Sequence, residues 1–349
     1  MAGDPKILFL ADAGAKVGGG HVMRCLTLAG ALARAGADCA FMATPEAAAV
    51  LDVFAGPQIR RFAAPSGDRA GLCALAAQAA RTWGAGWAVV DHYGLGAAED
   101  GLLRAAAGRL LAVEDLRRPR DGDLLLDSNL GRAARDYPGV QALTGPAFAL
   151  VRPEFHALRQ ACLARRAAGG AAGAVLVSLG LTDVGAITGR AVAALLPALG
   201  ERRLEVVLGE GAPSLPGLSA LAETDARIGL HVDAQDMAAL VAAADLAVGA
   251  GGSSAWERCV LGLPTITLIL ADNQRENSQA MAAAGASLAL EVNGALDAGL
   301  AKAFAALAAD GAARARMSEA AAALCDGLGA ERVAERMLAF SGPSGDGSG

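Results

Sequence analysis

Two uninterrupted apolar runs, Ile7–Ala11 and Trp87–Val90, each close on an aspartate, Asp12 and Asp91. A strand with one wet face alternates apolar and polar residues. A continuous run is buried on both faces, which is the habit of central strands in a parallel sheet. Parallel neighbours need a crossover between them, usually a helix. The spacing meets that need. Strands are predicted over Lys6–Asp12, Asp38–Ala43, Trp87–Asp91, Leu110–Glu114 and Leu124–Asp127, with helices over His21–Ala35, Thr44–Ala55, Arg69–Trp83 and Ala97–Ala107. The same style returns later in AVLVSLG, RLEVVLG, ARIGLHV, LAVGAGG and TITLILA.

A stretch rich in Gly and Pro, Leu130–Pro153, precedes a predicted helix, Glu154–Ala167, and marks a junction. The expectation is an α/β chain of two Rossmann-like, doubly wound domains, 1–150 and 151–340, facing a cleft. The stretch Leu296–Phe340 reads as helical and the tail 341–349 as disordered. At 349 residues the chain is long enough for two such cores.

Charge and cysteine usage narrow the function. A net charge of −6 argues against a bulk electrostatic nucleic-acid binder, with 54% hydrophobic and 19% charged residues. The six cysteines form no CxxC pair and suggest neither a zinc site nor a disulfide framework, so a reducing, cytoplasmic setting is expected. The N-terminal apolar stretch is short and follows Asp4 and Pro5, unlike a signal peptide. No run is long enough to span a bilayer. Neither stable membrane insertion, metal nor cofactor is expected.

In open α/β sheets ligands bind beyond the carboxyl ends of the strands, so polar residues just after strands are the candidates. The first group is Asp12, Gly14, Gly18, Gly19, Gly20, His21 and Arg24. It is no dinucleotide fingerprint, because Met23 stands where a third glycine belongs, and no GK[ST] follows to make a Walker loop. Here Asp12, Gly19, Gly20 and Arg24 are substrate-binding candidates, with Arg24 one turn beyond His21 suited to a carboxylate or diphosphate or else a plain surface arginine. His21 stands at a helix start, where the dipole favours the neutral imidazole that a general base requires; a plain helix cap is the simpler reading. The second group is Asp91, His92, Tyr93 and Gly94, a carboxylate, an imidazole and a phenol together. Asp91 is a substrate-binding candidate there and Tyr93 a catalytic one, against an Asp cap and a packed Tyr. Glu114 and Asp115 end the next strand and admit both kinds of reading.

In the second half, Gly180 and Thr182 follow a strand and suit phosphate or sugar contacts, or an N-cap. The strongest signal is VGAGGSSAWE. The turn at Gly252, Ser253 and Ser254 offers backbone N–H groups and hydroxyls at a helix start, as a diphosphate requires. Glu257, one turn on, can accept hydrogen bonds from ribose hydroxyls. A capping box of Ser254 and Glu257 is compatible with that role. Asn273 and Asn277 follow TITLILA and suit a sugar or base edge, or simply the polar first turn of a helix.

Taken together, GGGHVMRC, DHYG, GPAFALVRPEF, GAGGSSAWERCVLGLPTITL and ADNQRENSQAM resemble the UDP-2,4-diacetamido-2,4,6-trideoxy-β-L-altropyranose hydrolases of pseudaminic acid biosynthesis. Related spore-coat and flagellin-modification proteins share the pattern. The resemblance runs from Asp12 to about Met281 and implies a GT-B fold like that of MurG. It implies a UDP-sugar hydrolase that is metal-independent and inverting, with His21 as base, Tyr93 near the same centre, and UDP held by Ser253, Ser254 and Glu257. It also implies a place in surface or flagellin glycosylation. The chain departs from the pattern at Leu10, at Val184 after Gly180-Leu181-Thr182-Asp183, at Glu114-Asp115 and at Asp127-Ser128-Asn129. A GT-B glycosyltransferase using a UDP-sugar donor, or a non-catalytic nucleotide-sugar binder, would carry the same donor motifs.

Overall fold

The computed structural model describes residues 4–14, 17–56, 59–65 and 67–340. The tail expected to be disordered, 341–349, lies outside them. The chain divides into two units. The first comprises Met1–Asp12, His21–Leu150 and Gly329–Gly349, and the second Ala13–Gly20 and Val151–Leu328.

The first unit is a seven-stranded sheet of β1 (Lys6–Ala11), β2 (Asp38–Ala43), β3 (Arg60–Ala63), β4 (Trp87–Asp91), β5 (Leu110–Val113), β6 (Leu124–Asp127) and β7 (Gln141–Thr144). The spatial order is β3-β2-β1-β4-β5-β6-β7, and every pair is parallel. The crossovers include α1 (Gly20–Arg34), α2 (Pro45–Phe54), α3 (Arg69–Trp83) and α4 (Ala97–Ala107). Local chemistry sets their ends. Asp68 accepts the N–H of Ala70 at the start of α3, and Gly84 closes it in the left-handed conformation that spares glycine a clash. Leu8, Leu10, Val90 and Ala112 of the sheet pack with Leu72, Ala76 and Leu103 of the helices in one buried cluster.

The second unit opens with α5 (Pro153–Ala167) and carries a six-stranded sheet. Its strands are β8 (Ala174–Ser178), β9 (Arg203–Leu208), β10 (Ile228–Val232), β11 (Leu246–Ala250), β12 (Thr265–Ile269) and β13 (Leu288–Glu291). The order is β10-β9-β8-β11-β12-β13, again parallel throughout. Its helices are α6 (Ile187–Leu199), α7 (Leu215–Thr224), α8 (Met237–Ala243), α9 (Ser254–Val260), α10 (Asp272–Ala283), α11 (Leu296–Ala309) and α12 (Gly311–Leu324). Val175, Val177, Val206, Val248 and Leu268 form its core with Leu195, Leu300 and Phe304.

The last helix, α13 (Gly329–Leu338), corrects the expected boundary at 340, because it belongs to the first unit. A Cβ on Gly329 would fall 2.2 Å from the Ala149 carbonyl oxygen, so only glycine allows this approach. Phe340 meets Trp87 edge to face at 5.6 Å, and Arg34 pairs with Glu331 at 2.9 Å.

Both sheets reverse their winding once, between β1 and β4 and between β8 and β11. These switch points open a crevice at the carboxyl ends of the strands, where open α/β sheets bind ligands. In the first unit Ala11 pairs with Asp91, and in the second Gly249 pairs with Ser178. Chemistry-bearing residues named from the sequence, Asp12 and Asp91 in the first unit and Gly180 and Gly252 in the second, lie at or just beyond the ends of these strands.

Candidate functional site

At the first switch point α1 begins immediately after the glycine segment, and its first turn presents His21. The His21 Nδ1 lies 2.5 Å from Asp91 Oδ1 at the end of β4. An ionised carboxylate can only accept, so this bond requires the proton on Nδ1; in the neutral ring the lone pair is then on Nε2. Asp91 also accepts from Arg24 Nε at 2.5 Å and Arg24 Nη2 at 2.6 Å, and from the Cys25 thiol at 3.7 Å. Residues 21, 24 and 25 share the inward side of the first turn of α1, which is why one carboxylate can gather all three.

Asp91 is 1% exposed. Burial works against its charge, but the Arg24 guanidinium and then His21 outweigh burial and hold the carboxyl well below the usual range. The same neighbourhood affects Cys25. Burial first, then the Asp91 charge, push its thiol well above the ordinary value, so it stays an uncharged donor. Asp91 is expected from the sequence to contact substrate; in the structure both its oxygens are engaged by His21, Arg24 and Cys25.

Tyr93 packs edge to face on His21, with ring centres 4.5 Å apart and planes at 86°. Its hydroxyl donates to Asp115 Oδ2 at 3.0 Å. Burial and then the Asp115 charge raise the phenol above its ordinary value, so it remains a donor. Arg24 Nη1 reaches the same Asp115 oxygen at 3.3 Å, while Asp115 Oδ1 has no partner among the described residues. Asp12 accepts from the Tyr93 backbone N–H at 3.3 Å, fixing the start of the loop after β4. His92 receives the Gly94 N–H on Nδ1 at 2.9 Å, and burial lowers its pKa, so it stands neutral.

Glu114 and Asp115, adjacent in sequence, do different work. Glu114 is 1% exposed and accepts the Leu116 N–H at 2.6 Å and Arg118 Nη2 at 2.9 Å. Arg118 in turn donates to the Tyr93 carbonyl at 2.7 Å, and Arg120 links Glu114 to the buried Asp100. These ion pairs shape the loop that presents Asp115. Asp127 has the same structural character, holding the Tyr137 hydroxyl and Arg132 Nε.

The glycine segment Ala13–Gly20 is grouped with the second unit. Gly14 and Gly18 exchange backbone hydrogen bonds of 3.3 and 2.7 Å, closing a small ring. Gly18 has φ +71°, and a Cβ there would stand 3.6 Å from Thr182 Oγ1. One on Gly20 would stand 3.8 Å from Ser253 Oγ. A bare backbone thus lies beside two hydroxyls named from the sequence.

At the second switch point the turn Gly251–Ser253 leads from β11 into α9. No acceptor is paired with the N–H of Gly252 or Ser253 among the described residues. Ser254 Oγ receives Arg258 Nη1 at 3.1 Å. Glu257 accepts Arg152 Nε at 2.9 Å rather than closing a capping box, and Ser253 makes no side-chain cap. Gly180 (φ +104°) and Thr182 follow the neighbouring β8. The next residue, Asp183, is fully buried and accepts the Thr188 and Ser214 N–H groups at 2.8 and 2.9 Å, so it anchors this loop.

On α10, Gln274 is placed against the turn. Its Nε2 would lie 3.8 Å from a Cβ on Gly252, and its Oε1 accepts the Leu270 N–H at 3.1 Å. Asn277 is buried, with its amide 3.7 Å from Met281 Sδ, and Asn273 is half-buried. Gln274 and Ser278 both crowd Gly251 and stand four residues apart, a helix-face pattern the sequence already carried.

Residues 191–336 match the family model described as the glycosyltransferase family 28 C-terminal domain. The solved structure of MurG from Acinetobacter baumannii superposes with a TM-score of 0.67 at 16% identity, covering 96% of this chain and 100% of that one. The fold is GT-B. The chain is also 31% identical over 276 residues to the UDP-N-acetylglucosamine–N-acetylmuramyl-(pentapeptide) pyrophosphoryl-undecaprenol N-acetylglucosamine transferase of Xanthomonas axonopodis pv. citri. That match spans 75% of this chain and 63% of the transferase. The UDP-2,4-diacetamido-2,4,6-trideoxy-β-L-altropyranose hydrolase of Campylobacter jejuni is 26% identical over 157 residues, 43% of this chain and 53% of that protein.

These matches overturn the expected UDP-sugar hydrolase. The family model is that of a glycosyltransferase, and the transferase aligns over far more of the chain than the hydrolase does. The strongest motif behind the expectation, GAGGSSAWE, was read for nucleotide binding. Such a motif is silent on whether water or another hydroxyl receives the sugar. Among the described residues no helix is long and apolar enough to cross a membrane.

Proposed function

We propose that this chain is a GT-B glycosyltransferase that moves a sugar from a UDP-linked donor to a hydroxyl acceptor. The observation that carries the reading is the match of residues 191–336 to a glycosyltransferase C-terminal domain. In this reading the second unit binds the donor. The Gly252 and Ser253 N–H groups and the Ser253 and Ser254 hydroxyls serve the diphosphate, with Gly180 and Thr182 nearby, and Glu257 accepts from the ribose.

The first unit supplies the base. His21 Nε2 takes the acceptor's proton as its oxygen bonds to the anomeric carbon, and the bond from that carbon to the diphosphate breaks to release UDP. Asp91 holds the imidazole in the required tautomer and stabilises the imidazolium that forms. Tyr93 packs on the ring and fixes its plane. The two relatives' names both carry N-acetylated amino sugars on UDP. Such donors are the first to test.

The test is incubation with UDP-N-acetylglucosamine and a panel of glycan and lipid-linked hydroxyl acceptors, reading UDP and the glycosylated product. Product and UDP should appear together and depend on acceptor, and His21→Ala should lower turnover by about 10²–10⁴-fold. UDP released at the same rate without acceptor contradicts transfer.

A further inference from the structure

Buried arginines in this chain usually have an evident counterpart. Arg24 has Asp91 and Asp115, Arg120 has Asp100 and Glu114, and Arg132 has Asp127. Arg166 and Arg314 each donate to three main-chain carbonyls. Arg258 has fewer partners than these. It is 3% exposed and, like Arg166 and Arg314, forms no ion pair among the described residues; the adjacent Glu257 is paired with Arg152. Nη2 donates to the Ala250 carbonyl at 2.6 Å, Nη1 to Ser254 Oγ at 3.1 Å, and Nε has no partner among the described residues.

The guanidinium occupies the space a side chain would need at Gly249, lying 2.5–2.8 Å from a Cβ built there. Its two bonded partners are the residues on either side of Gly251–Ser253. The cation is therefore strapped across the back of that turn.

We propose that Arg258 supplies the buried positive charge, and the strap, with which the Gly251–Ser254 turn holds an anionic group such as a nucleoside diphosphate, without touching that ligand. The proposal rests on the donor-binding reading of the second unit. A buried cation with no counter-ion is costly to a fold. An anion delivered to the turn would supply the missing opposite charge. Burial draws Arg258 down to about 10, which still leaves it charged at neutral pH. The seven-residue α9 is too short for its own end to carry the site. Cys259, the next residue, has its thiol pushed up to about 12 by burial and brings no negative charge.

The test compares UDP with uridine, which shares the base and ribose but lacks the phosphates, by calorimetric titration of wild type, Arg258→Met and Arg258→Lys. A charge behind the turn acts on the phosphates alone. The ratio of UDP to uridine affinity should fall by about 30-fold in Arg258→Met and by less than about tenfold in Arg258→Lys. Thermal unfolding without ligand accompanies it. Removing an unpaired buried cation should leave the Arg258→Met midpoint unchanged or raised, whereas a purely structural residue would lower it. An unchanged ratio in Arg258→Met, or equal loss of UDP and uridine in both variants, overturns the proposal alone. Wild type that binds no UDP overturns the donor reading together with it.

Discussion

At the end of the first sheet Arg24 lies against two carboxylates, while at the end of the second Arg258 lies against none among the described residues. Asp91 has every acceptor position engaged by His21, Arg24 and Cys25. The turn after β11 instead leaves the Gly252 and Ser253 N–H groups unpaired among the described residues, with Arg258 behind them. In the proposed reading the difference matches two kinds of work. A base must sit in one tautomer and one orientation before the substrate arrives, so its partners are all supplied by the protein. An anion site gains from staying incomplete until its ligand completes it.

The largest effect should come from breaking the saturated end. Asp91→Asn replaces the carboxylate that fixes the His21 tautomer with an amide whose NH2 can face Nδ1 instead, and turnover should fall by about 10³–10⁴-fold. It also strands the Arg24 guanidinium with one weaker carboxylate, and denaturant unfolding at pH 7 should report a loss of about 3–5 kcal/mol. The sign with pH follows from the depressed carboxyl. Its contribution is present in full above the unfolded value of 3.8 and is lost as pH falls towards the folded one. Wild type and variant should therefore converge in strong acid. A constant gap across pH would mean that packing, not charge, accounts for it.

A smaller effect should come from filling the open end. A Cβ on Gly251 would lie 2.2 Å from Ser278 Oγ, so Gly251→Ala should cost about 1–3 kcal/mol and weaken UDP binding. Ser278→Ala in the same chain should restore much of both, because the clash is with that hydroxyl, itself buried without a partner among the described residues. Absence of rescue would place the strain elsewhere in the turn. Smaller again is Tyr93→Phe. It removes one hydrogen bond to Asp115 but keeps the ring on His21, and steady-state turnover should fall by about five- to tenfold.

Much of the fold was readable because its signal is local. The helices Arg69–Trp83 and Ala97–Ala107 and the strand Trp87–Asp91 stand at the bounds the pattern predicts. β3 and β7 escaped notice because Arg-Arg-Phe-Ala and Gln-Ala-Leu-Thr are four-residue edge strands with too few apolar positions to declare a period. The return of α13 to the first unit depends on Gly329 packing on Ala149, a contact 180 residues apart that no local pattern encodes.

The candidate site divides the same way. Its residues were legible from position, at strand ends before helices. Their partners were not, since Asp91 meets His21 across 70 residues and Glu257 meets Arg152 across 105. Arg258 reads from the sequence as an ordinary helix residue. Only its burial beside the bare Gly249 sets it apart.

The division of labour between the two sheet ends can be tested with one titration series, UDP against wild type, His21→Ala and Glu257→Gln. The account predicts that His21→Ala binds UDP within about twofold of wild type, while Glu257→Gln loses about tenfold through the weakened ribose contact. A His21→Ala variant that loses UDP affinity as severely as Glu257→Gln would contradict it, because the histidine would then belong to nucleotide binding rather than to proton transfer.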